Sequence, residues 1–175
     1  FNWNRYPVPT SDILPHLVHE HQAGFVYRTV KALYDTRHYL ALGKGRLTSE
    51  HAAEVAQLAD SITRYILFAD EVQLPEGGVG GDPAFKVDFL RRARKTAAGT
   101  SLREFDLRTR LFKHRCSYMI HTPSFQGLSP VLKAAVLQRM HRALDATHPD
   151  PAYAYLPPTE KTAIANILKA TLKGW

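Results

Sequence analysis

Apolar and polar residues along most of this chain recur at helical spacing. Thr10, Ser11 and Asp12 can each cap a helix N-terminus, and a periodic stretch runs from there to about Leu42. One sector holds Leu14, Val18, Phe25, Ala32, Leu33, Thr36 and Leu40, a stripe suited to a core-facing helix. "GKGR" at 43–46 stops it. The next helix is predicted from Thr48 or Ser49, with Glu50 in its first turn and Val55, Leu58, Ile62, Tyr65 and Ile66 in register. These two helices form a hairpin. "PEGGVGGDP", 75–83, reads as a Gly-rich linker, and Asp82-Pro83 then opens a short helix to about Arg94.

"KTAAGT" breaks the chain again. Ser101 and Glu104 match the S-x-x-E capping box, which predicts a helix to about His121, ahead of Pro123. Ser129-Pro130 opens another, with Val131, Leu132, Ala135, Val136, Met140 and Leu144 as its buried stripe. "HPDPAYAYLPP" reads as an extended crossing, and Thr159 caps a last helix ending near Gly174. Residues 1–9, "FNWNRYPVP", have no helical period and read as an extended arm. Strand-like alternation and internal repeats are both missing. The expected fold is all-α, with about six helices and long irregular Pro/Gly-rich arms.

Composition narrows the class. The 175 residues, 45% of them hydrophobic, suffice for one domain with a real core and argue against disorder. No apolar run reaches the roughly 20 residues needed to span a bilayer; the longest is broken by Arg64 and Asp70. The chain begins at Phe1 without a signal-like segment, so a fragment of a longer protein is expected. Cys116 is the single cysteine, which excludes an internal disulfide, covalent c-type haem attachment and multi-cysteine zinc sites.

Candidate chemistry centres first on "HLVHEHQ", 16–22. His16, His19 and Glu20 share one ~100° sector of the first helix, continued by Ala23, Tyr27, Val30, Tyr34 and His38. Spacings of three and four let two such side chains reach one metal, or present an axial ligand to a non-covalent haem. Tyr27 and His38 would serve as outer supports, and His51 or Glu54 could add ligands from the second helix. His21 borders the aliphatic stripe and does not join His16. The H-E-x-x-H order of zinc proteases is missing, and a hydrated helix end explains the same residues.

Charge points elsewhere. The chain carries +7, and residues 86–115 account for all of it, with ten basic residues against Asp88, Glu104 and Asp106. On the expected helix Arg103 and Arg110, and likewise Arg108 and Arg115, form two rows joined by Lys113, a footprint for nucleic acid or another polyanion. Solvated rows paired with the local acids are the plain alternative. Cys116 is a poor nucleophile candidate, since on a helix His114 and His121 lie ~160° and ~140° away from it.

The phrases "FNWNRYPVPTSDIL", "HEHQ", "LREFDLRTRLFKHRCSYMI" and "SFQGL" together resemble the C-terminal helical part of large, uncharacterised, exported-type bacterial proteins found beside c-type cytochromes. The similarity covers most of residues 1–145. The resemblance implies a periplasmic or extracellular setting and redox neighbours, although the residues themselves fit the cytoplasm equally. It transfers no catalytic residue. The expected function is a non-catalytic binding or assembly module within such a system, contacting other chains or the rest of its own. The alternatives are a polyanion-binding module through residues 86–115 and, more weakly, a metal-dependent enzyme using His16, His19 and Glu20.

Overall fold

The computed structural model describes residues 12–175. The N-terminal arm, and Thr10 and Ser11 as caps, lie outside the described residues. The chain is all-α, with six helices among the described residues: α1 Ile13–Leu42, α2 Ser49–Ile66, α3 Pro83–Arg91, α4 Pro123–Gln126, α5 Pro130–Ala143 and α6 Pro158–Thr171. Two 3-10 turns, Tyr118–His121 and Pro151–Tyr153, supplement them.

The caps agree closely with the sequence. Asp12, Thr48, Asp82 and Ser129 accept backbone N–H bonds at the starts of α1, α2, α3 and α5. The last helix differs: Pro157, not Thr159, is its N-cap, and Pro158 is its first residue. "HPDPAYAYLPP" is not extended throughout, because Asp150 caps the 3-10 turn at Pro151–Tyr153.

The antiparallel α1–α2 hairpin organises the core. Its turn uses left-handed backbone at Lys44 and Gly45 (φ 51° and 89°), the second of which glycine adopts without Cβ strain. The pairing is marked at one end by Tyr39 stacked on His51 and at the other by Tyr65 against His21 and Phe25. Helix α5 crosses α2, burying Leu132, Val136, Met140 and Ala143 in the same core as Val55, Ala59, Ile62 and Ile66. Fully burying an aliphatic side chain contributes about 1.5–3 kcal/mol, so this layer is a main source of stability. Arg139 closes its edge, pairing with Asp60 and Asp150 at 2.6 Å each.

Residues 101–117 depart from expectation. The capping-box contact forms, Ser101 N–H donating to Glu104 Oε1 at 2.7 Å, yet the chain beyond it is not helical. Asp106 accepts from Arg108 N–H and Thr109 Oγ1–H, a local turn that competes with helix hydrogen bonding. Leu107 takes a left-handed φ of 63°, and the chain folds back so that Phe105 bridges Phe112. Their rings stack at 5.5 Å. The Gly-rich stretch lies on this hairpin-like loop: Leu74 N–H donates to Thr109 O and Val79 N–H to Leu107 O. Among the described residues there is no named strand, and no helix is long and apolar enough to cross a membrane.

Candidate functional site

The first-helix cluster does not converge. His16, His19 and Glu20 are all exposed, and His19 and Glu20 open onto different depressions on either side of α1. Tyr27 lies about 12 Å further along the axis from His19, and His38 further still, both exposed. Among the described residues no three His, Cys, Asp or Glu side chains are arranged to hold a metal ion. Among the described residues His16, His19 and Glu20 therefore belong to no three-ligand metal cluster.

The histidine that the fold does use is His21. It sits at the edge of the α1 core stripe, 8% exposed, between the rings of Phe68 at 4.8 Å and Tyr65 at 5.3 Å. Its Nε2 lies 2.7 Å from Ser117 Oγ. That oxygen accepts from Met119 N–H, which leaves the hydroxyl able to donate to Nε2. Burial pulls the imidazole pKa down to about 4, so His21 is neutral at pH 7.

His21 forms part of the floor of a cavity of about 770 Å³ between α1, α2 and the chain at 68–74. Tyr65, Phe68, Leu17, Leu74 and Leu111 supply its apolar surface, and Arg28, Asp60, Arg64 and Glu71 its polar wall. The polar groups are engaged. Arg28 lies over the Tyr65 ring at 4.2 Å, Arg64 pairs with Asp70 at 2.8 Å, and Asp60 with Arg139. Glu71 accepts from Leu111 N–H at 3.3 Å, and burial raises its carboxyl above the ordinary range. Gly24 makes the wall possible. A Cβ there would intrude on Tyr65 Oη, which donates to His21 O at 2.9 Å. Sequence reasoning missed Tyr65, Phe68 and Ser117 as His21's partners; its available signals were His21 at the stripe edge and a glycine inside a long helix.

The five basic residues do not form two rows. Arg115 grips Glu160 through Nη2 at 2.7 Å and Nε at 3.2 Å, and Arg110 approaches the same carboxylate at 3.5 Å. Lys113 pairs with Glu104 at 2.9 Å, and Arg108 is exposed with no carboxylate partner among the described residues. Arg103 lies apart, against the rings of both Phe89 and Tyr118. Three of the five thus tie the loop to α6 or to itself. The rows assumed a helix, and the Asp106 turn abolishes it.

Cys116 is fully buried, and burial pushes its thiol pKa far up. His121 pairs with Thr171 Oγ1 at 3.0 Å, and His114 Nε2 is buried with no hydrogen-bond partner among the described residues, so neither activates the thiol. The chain matches no protein-family model, no curated protein and no solved structure.

Proposed function

We propose that this domain is a non-catalytic binding and assembly module whose cavity between α1 and α2 receives an aromatic or apolar group of a ligand or partner. The observation that carries this reading is the aromatic floor of His21, Tyr65 and Phe68 inside a cavity of about 770 Å³. That size falls in the range of small-molecule sites, which are largely apolar with a few placed polar groups. The neutral His21 suits it, since a charged imidazole would repel an apolar group. Exposed Tyr27 and Tyr34, 68% and 66% accessible, add surface for assembly along α1. The exported redox setting rests on the family resemblance of the quoted phrases.

A fluorescent aromatic probe, 1-anilinonaphthalene-8-sulfonate, tests the cavity. It should bind saturably at one site per chain. Ser61, exposed at the cavity wall, can be replaced to plug it. Ser61→Trp should weaken the probe at least tenfold with unchanged far-ultraviolet circular dichroism. An unaltered titration in that variant would remove the cavity from the function.

A further inference from the structure

Arg103 is a half-buried cation without a carboxylate partner among the described residues. Its guanidinium lies 4.7 Å from the Phe89 ring centroid and 4.4 Å from that of Tyr118, and Nη1 donates to Phe89 O at 3.2 Å. Guanidinium offers five N–H donors, so most of its capacity is unused by the described residues. Desolvation lowers the Arg103 pKa, and the nearby charge of Arg92 lowers it further. Two arginines from different elements thus line one depression. Asp88 stands at its wall, but Arg91 holds that carboxylate, with Arg92 at 3.9 Å. His19 closes the α1 side.

We propose that this groove between α1 and α3 binds a tetrahedral oxyanion, the phosphate group of free phosphate or of a phosphate monoester, held by Arg103 and Arg92 with His19 as a third donor. Its volume of about 250 Å³ lies below the usual size of small-molecule pockets and suits a single anionic group. Donors that arrive from separate elements match the divergent oxygens of a tetrahedral ion. A carboxylate, whose two oxygens are coplanar, would be satisfied by one guanidinium fork. The aromatic faces on Arg103 keep the fork aimed, a role lysine does not reproduce. This site is separate from the α1–α2 cavity and does not depend on it.

Calorimetric titration of the full chain at low ionic strength provides the test, using inorganic phosphate, phenyl phosphate and acetate. Phosphate should bind at one saturable site, with acetate at least tenfold weaker. Arg92→Gln, an exposed change that spares the packing, should weaken phosphate about tenfold or more without moving the melting temperature. Arg103→Lys should also weaken phosphate about tenfold or more, and Arg108→Gln should leave binding unchanged. Phenyl phosphate binding tighter than free phosphate identifies a monoester as the ligand; the reverse identifies the free ion. The proposal is overturned by lack of saturable binding, by acetate binding equally well, or by retained binding in Arg92→Gln. An equal loss in Arg108→Gln would also overturn it, because it would show general charge attraction.

Discussion

Gly24 shows how one residue can serve packing against its own helix propensity. Glycine in a helix interior costs about 1 kcal/mol relative to alanine, so Gly24→Ala on an isolated helix would stabilise it. Here the added Cβ would meet Tyr65 Oη and press on the ring that floors the cavity. The expected outcome is a net loss of about 1–2 kcal/mol in urea unfolding, through strain of the overpacking kind. Placing the same change in a Tyr65→Phe background removes the closest atom and should shrink the loss. A stabilised Gly24→Ala single variant would show that the glycine is there for another reason. His21, Tyr65 and Gly24 are thus one unit, although nothing in the sequence links the three.

At the scale of elements, the irregular segment 101–117 is held by partners distant in sequence. Glu160 on α6 accepts from Arg115 N–H at 2.9 Å as well as from its guanidinium, and its side chain is 12% exposed. Burial raises the Glu160 pKa, but the Arg115 bonds outweigh it and hold the carboxylate below its ordinary range. Glu160→Gln would leave two guanidiniums beside a neutral amide. Breaking a largely buried pair from one side costs about 3 kcal/mol, whereas an exposed pair such as Lys31–Asp35 contributes little. Glu160→Gln should therefore shift the denaturant midpoint strongly and Asp35→Asn little, with helicity retained in both. Equal shifts would show that the Glu160 link carries no special weight.

At the scale of the molecule, buried histidines make stability depend on pH. His21 and His121 have pKa values drawn down to about 4 by burial, from about 6.5 in the unfolded chain. Between those limits the unfolded state binds more protons, so stability rises with pH and is lost as pH falls from 6.5 towards 4. Glu71, raised by burial, works in the opposite direction as it protonates. His21 alone should contribute roughly 2–3 kcal/mol of acid sensitivity. His21→Gln offers its amide oxygen as an acceptor for the Ser117 hydroxyl without titrating. Urea melts at pH 7 and pH 4.5 should show a smaller difference for this variant than for the parent chain. Equal differences would mean that His21 already titrates normally.

The helix starts at Asp12, Thr48, Asp82 and Ser129, the α1–α2 hairpin and the all-α class were legible in the sequence. Each rests on contacts a few residues apart, where periodicity and capping chemistry act. The segment 101–117 was not legible in this way. Its S-x-x-E signal marks a real contact, but the Asp106 turn, the Phe105–Phe112 stack and Glu160 from α6 decide the path of the chain beyond it. The candidate sites belong to the same class. His16, His19 and Glu20 share a helix sector, yet neighbouring elements place Glu20 and His19 on different depressions. His21 acquires its setting from Tyr65, Phe68 and Ser117, which lie 44, 47 and 96 positions away along the chain. Local spacing determined which helices form; only long-range packing decided which side chains meet.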